Sequence, residues 1–119
     1  MSAHVVVIDD EPELQTMLLD FLEANGISAV GISRPELVHT MDQSQPPDLF
    51  VVDLNLPGQT GIELAEQLRA EGYAETPMIA MSASRPMLQA ALKSNLFQQV
   101  LPKPFNIVSL LDYVERYAG

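Results

Sequence analysis

Asp53 closes one short apolar run of the chain, Leu49-Phe50-Val51-Val52, and the pair Asp9-Asp10 closes another, His4-Val5-Val6-Val7-Ile8. Both runs are short, rich in β-branched residues and bounded by polar or turn residues, which is the pattern of a buried strand. If the two strands are parallel neighbours, three carboxylates meet at one rim of a sheet. Like charges that close repel one another and raise their pKa values unless something positive sits among them. Hard oxygen donors of this kind suit Mg²⁺. Lys103, near the end of a third apolar run, brings a fixed positive charge to the same place.

The elements that must position these groups alternate between strand and helix. After the first strand, Leu14, Met17, Leu18, Phe21 and Leu22 follow helical spacing, and Asn25-Gly26 closes that helix. Asp10 is read as its N-cap as well as a ligand, with Pro12 in the first turn and Glu13 at N3. Residues 27–32 read as a second strand. Ser33 and Glu36 form a capping-box pair, with Pro35 between them, for a helix through Leu37, Val38 and Met41. Gln45-Pro46-Pro47 is a loop. Leu56-Pro57-Gly58-Gln59 has the signature of a type II turn, and Thr60 with Glu63 caps a helix through Leu64, Ala65 and Leu68. Residues 77–81 form a fourth strand ending at Ser82. A helix over 86–95 and a fifth strand over 97–101 follow. Ile107, Leu110, Leu111, Val114 and Tyr117 are the apolar stripe of a last helix.

Five such units make an α/β fold, a doubly wound five-stranded parallel sheet with helices on both faces, in one domain over residues 1–119. In folds of this kind ligands bind beyond the carboxyl ends of the strands. Asp9, Asp10, Asp53, Ser82 and Lys103 all fall there. Taken singly, Asp9 reads as a solvated loop residue, Glu11 as a solvated neighbour, and His4 and His39 as surface residues without ligand spacing. Met17, Met41, Met78, Met81 and Met87 read as core filler.

Composition narrows the function classes. The 119 residues carry 16 acidic and 6 basic side chains, a net charge of −10, so no basic stripe exists to neutralise nucleic-acid phosphates or an anionic membrane. An apolar content of 47% argues for a folded globule. No cysteine is present, which rules out disulfides and thiolate metal sites and agrees with a cytoplasmic setting. The N-terminal apolar run is too short for a signal-peptide core, and no run approaches a membrane span. The sequence as given stops at Gly119, and the expectation is either a stand-alone regulator or a piece of a longer protein.

Four motifs in this order carry a resemblance to a known family: Ile8-Asp9-Asp10-Glu11, then Val52-Asp53-Leu54-Asn55-Leu56-Pro57-Gly58 with Gly61, then Met81-Ser82-Ala83, then Lys103-Pro104-Phe105. Over essentially its whole length the chain resembles the response-regulator receiver domains of two-component phosphorelays. The resemblance implies that Asp53 accepts a phosphoryl group from a phosphohistidine on a sensor histidine kinase or histidine phosphotransfer protein. It implies Mg²⁺ or Mn²⁺ held directly by Asp10, Asp53 and the Asn55 backbone carbonyl, with Asp9 acting through water. Ser82 and Lys103 would contact the phosphoryl oxygens, and the peptide before Pro104 would be cis. The chemistry would be self-phosphorylation and slow self-dephosphorylation rather than enzymatic turnover. The partner downstream would be an effector or an attached output domain, with a homodimer expected through the fourth helix, fifth strand and fifth helix. Two other readings stand beside this one: a phosphorylation-independent interaction module on the same fold, and a Mg²⁺-dependent phosphohydrolase. The second lacks the Asp-x-Asp pair usual after the first strand of such enzymes.

The chain departs from the family pattern at Val100, where an aromatic residue is usual and is described as swinging between exposed and buried positions. Valine is short and stiff and cannot make that movement. Activation is therefore expected to act mainly through residues 83–87, after Ser82.

Overall fold

The β1 strand, His4–Ile8, lies in the middle of the molecule because both its faces are covered, as its unbroken run of apolar residues demands. The computed structural model describes residues 3–41 and 44–118. In chain order β1 is followed by α1 (Pro12–Ala24), β2 (Ser28–Ile32), a 3₁₀ helix (Pro35–Thr40), β3 (Leu49–Asp53), α2 (Gly61–Ala70), β4 (Met78–Ser82), α3 (Arg85–Ser94), β5 (Gln99–Pro102) and α4 (Ile107–Ala118). The five strands are parallel and ordered β2-β1-β3-β4-β5. Strand order therefore reverses between β1 and β3, and the crevice above that reversal is where open α/β sheets bind ligands.

Strand alternation sorts the core into two layers. Val5, Val7, Leu49, Val51, Ile79 and Met81 pack with Leu18, Leu22, Leu110 and Val114 on the face covered by α1 and α4. Val6, Ile8, Phe50, Val52 and Met78 pack with Leu64, Ala65 and Leu68 of α2 on the other. A smaller group, Leu54, Ala80 and Ala91 with the partly buried Val100, seats α3. Each fully buried Leu, Ile, Val or Phe contributes about 1.5–3 kcal/mol relative to exposure, so the strand ends are held by a rigid base. Of the methionines, Met78 and Met81 are buried as expected, but Met17 is 48% exposed on the outer side of α1.

The second helical segment differs from expectation. Its N-cap is Arg34, without a side-chain capping bond, and the backbone bonds Leu37 N–H to Arg34 C=O and Met41 N–H to Val38 C=O close three-residue turns. Val38, His39 and Thr40 are poor helix formers, and six residues are too few to offset the cost of an α-helical nucleus. Strand boundaries also move. Ile27 gives its N–H to Leu22 C=O at the end of α1, so β2 begins at Ser28. The fifth strand begins at Gln99: Met78 gives its N–H to the Gln98 side-chain Oε1, and Phe97 packs, partly buried, against the core. The capping box of Thr60 and Glu63 is present in both directions, at 3.1 Å and 3.0 Å, and Gly58 has the positive φ (77°) that the third position of a type II turn requires.

Candidate functional site

Asp9 follows β1 directly, Asp53 ends β3, Ser82 ends β4, and Lys103 follows β5, so four strand ends deliver side chains to one rim. Carboxylate oxygens of Asp9, Asp10 and Asp53 lie within 4.8 Å of one another. The Lys103 ammonium reaches into this group, 3.3 Å from Asp53 Oδ2 and 3.5 Å from Asp9 Oδ2. Asp9, Asp53 and Ser82 are buried, whereas Asp10 is exposed at the mouth. The site is thus a cleft with an anionic floor and one ammonium wall.

Local bonds aim each group. Asp53 Oδ1 accepts the Asn55 N–H at 3.0 Å, which fixes the carboxylate and holds Asn55 at the rim. Asp9 Oδ1 accepts the Glu11 N–H at 2.8 Å. Ser82 Oγ accepts the Ser84 N–H at 2.9 Å, and Lys103 N–H donates to Ser82 C=O at 2.9 Å, tying the β4 and β5 ends together. Behind Asp53, the start of α2 approaches the chain so closely that a Cβ on Gly61 would lie 2.5 Å from Asp53 O and 2.8 Å from Leu54 Cα. The Lys103–Pro104 peptide is cis.

Electrostatics follow from burial. The Asp9 carboxyl is pushed up from 3.8 to about 6, chiefly by burial and further by the Asp53 and Glu11 carboxylates, against the opposing Glu11 N–H and Lys103 ammonium. For Lys103, burial pulls the pKa down most strongly, yet Asp9, Asp53 and Glu11 together lift it above its ordinary value, so the ammonium stays charged. Asp9 Oδ2 is buried, has no hydrogen-bond partner among the described residues, and meets Lys103 only at ion-pair distance. A buried carboxylate oxygen left in that state, with two further carboxylates beside it, fits a hard divalent cation.

Three single-residue readings are corrected. Asp10 is not the helix cap. Pro12 occupies the first helical position, Glu11 is the N-cap without a side-chain capping bond, and the Asp9 side chain takes the free N–H instead. Asp9 is not solvated, because β1 carries it below the surface. Glu11 is exposed but engaged, 3.3 Å from the Lys103 ammonium. The sequence signal for Glu11 was weak, since its carboxylate finds its partner at the β5 end, 92 residues away.

With this geometry in view, comparison with known proteins is decisive: the response regulator receiver domain family matches residues 5–115. The chain belongs to that family. Among curated relatives, the DNA-binding response regulator MtrA of Mycolicibacterium smegmatis is 30% identical over 114 residues, covering 96% of this chain and 50% of MtrA. The chain spans half or less of the length of the first curated relatives it matches. Among solved structures, the receiver domain of Francisella response regulator 1452 superposes with a TM-score of 0.83 at 28% identity, covering 98% of this chain and 97% of that one. Response regulator protein TrrA of Thermotoga maritima, in complex with Mg(2+)-BeF, shares the fold with a TM-score of 0.84 at 24% identity, over 97% and 98% of the two chains. Five parallel strands in the order 2-1-3-4-5 are the flavodoxin-like arrangement of this receiver domain. Among the described residues no helix is long and apolar enough to cross a membrane.

Proposed function

We propose that this receiver domain is switched by phosphorylation of Asp53, with a phosphohistidine of a sensor histidine kinase or phosphotransfer protein as donor. The observation that carries this reading is the Asp53 carboxylate itself. It is 2% exposed, with one oxygen fixed by the Asn55 N–H and the other 3.3 Å from the Lys103 ammonium. An Asp53 oxygen forms the new bond to phosphorus while the P–N bond of phosphohistidine breaks. The imidazole leaves with that electron pair and takes a proton from solvent, leaving an acyl phosphate. Phosphoryl transfer depends on positioning and charge neutralisation more than on covalent help from the protein. Lys103 supplies a fixed charge for one phosphoryl oxygen. Ser82 accepts a bond from Ser84 but retains its own O–H, which can rotate to donate to another.

Asp10, Asp53 and the Asn55 carbonyl would hold Mg²⁺ or Mn²⁺ directly, with Asp9 behind them through water. When bound, the ion neutralises charge between carboxylates and phosphoryl group. TrrA, of the same fold, is seen in complex with Mg(2+)-BeF, which supports a divalent cation as the ligand of a domain of this kind. The change would be read on the face made by α3, β5 and α4, where Leu92 and Val108 are 61% and 55% exposed, by an effector, an output domain or a second copy. A cytoplasmic setting fits this role. The test is treatment with acetyl phosphate and Mg²⁺ followed by mass mapping. Phosphate on Asp53 is expected; labelling elsewhere, or undiminished labelling of Asp53→Asn, would overturn the reading.

A further inference from the structure

Asp9 is held at every polar atom but one. Its N–H donates to Ile32 C=O at 3.0 Å, and its Oδ1 accepts from Glu11 N–H. Its C=O accepts from the Gln15 side-chain Nε2 at 3.1 Å, the only side-chain donor in the set. Gln15 lies in the first turns of α1 and reaches back over β2. There it occupies the space that a side chain on Gly31 would need: a Cβ at Gly31 would lie 2.4, 2.6 and 2.8 Å from Cδ, Oε1 and Nε2 of the carboxamide. Contacts under 3.0 Å are essentially never seen at real Cβ atoms, so a side chain at 31 would make the flexible end of Gln15 swing away from the Asp9 carbonyl.

The Asp9 carbonyl belongs to the peptide plane that joins Asp9 to Asp10. Holding that oxygen restrains the plane, and the plane places the Asp10 N and Cα atoms from which its side chain departs. Asp10 is exposed and does not cap the helix, so a shift of its backbone carries its carboxylate with it. We infer that Gln15, seated against Gly31, is a positioning residue that orients the Asp9–Asp10 peptide and thereby sets the affinity of the carboxylate cluster for a divalent cation. The inference rests on the proposed cation site and names two residues outside it. Groups that orient ligands from behind typically govern cation affinity by 10–100-fold.

The test uses the full chain and Mg²⁺ alone, titrated by calorimetry, with urea unfolding in EDTA as the measure of stability. Gln15→Leu keeps the volume and helix propensity of the side chain but not the donor. It should weaken Mg²⁺ binding by roughly tenfold. Gly31→Ala should weaken binding comparably when Gln15 is present and have no further effect in a Gln15→Ala background, because the carboxamide it displaces is gone. A purely structural role would lower unfolding stability and leave Mg²⁺ affinity unchanged, and that result would overturn the inference, as would strictly additive effects in the double variant. Absence of Mg²⁺ binding by the unaltered protein would instead overturn the proposed cation site, and the inference with it.

Discussion

Replacing Asp9 by Asn should make the metal-free protein more stable. At neutral pH the folded chain holds Asp9 ionised although its carboxyl prefers to keep a proton up to about pH 6, against 3.8 when unperturbed. That difference corresponds to ~3 kcal/mol of folding free energy forgone above pH 6. Asn removes the charge and keeps an oxygen for the Glu11 N–H, but it turns an amide toward the Lys103 ammonium, which returns about 1–2 kcal/mol of the gain. The net expectation is a stabilisation of about 1–2 kcal/mol. For a chain of this length that is a rise in Tm of roughly 4–8 °C. The sign against pH is fixed by the direction of the shift. A raised carboxyl pKa means that the folded state binds more protons between 3.8 and about 6, so stability of the unaltered protein falls as pH rises through that window. The advantage of Asp9→Asn should therefore be present at neutral pH and vanish toward about pH 4. Added Mg²⁺ should reverse the ranking, because a ligand that binds the folded state stabilises it by an amount that grows with the logarithm of its concentration over its Kd. The assay is thermal unfolding by circular dichroism in EDTA and in excess Mg²⁺, across that pH range. An Asp9→Asn protein no more stable than its parent in EDTA at neutral pH, or equally advantaged near pH 4, would refute the argument.

Asp10→Asn should unfold at the same urea concentration as the parent in EDTA, since Asp10 caps nothing, yet bind Mg²⁺ at least tenfold more weakly by calorimetric titration. Gly61→Ala should lose about 1–3 kcal/mol in urea unfolding, because the added methyl meets backbone at Asp53 and Leu54 rather than a side chain that can move aside. The same variant should be phosphorylated more slowly by acetyl phosphate, as the clash displaces the residue that carries the acceptor. Beryllofluoride with Mg²⁺ should shift the amide resonances of residues 83–87 more than those of Val100. Ser82 is already bonded to Ser84 N–H, whereas Val100 is packed against Leu54, Ala80 and Ala91. A large rotamer change at Val100 beside a static 83–87 segment would contradict this.

Much of this molecule was legible in the order of its residues. Short β-branched runs ending in acidic or polar residues announced a parallel sheet whose strand ends converge, since strands buried on both faces cannot alternate and must present polar groups at their ends. The turn at 56–59 and the cap at Thr60 and Glu63 were equally clear, because their chemistry is local. Only the tertiary structure decided the rest. That Asp9 is buried and Asp10 exposed depends on where β1 stops within the sheet. That Ser33 caps nothing depends on a segment too short to sustain an α-helix. The hold of Glu11 on Lys103, and the seat of Gln15 against Gly31, join residues far apart in the chain. Local propensity and periodicity are written into neighbouring residues, but burial, charge pairing and close approach exist only once distant segments have been brought together, and those decide what the carboxylates can do.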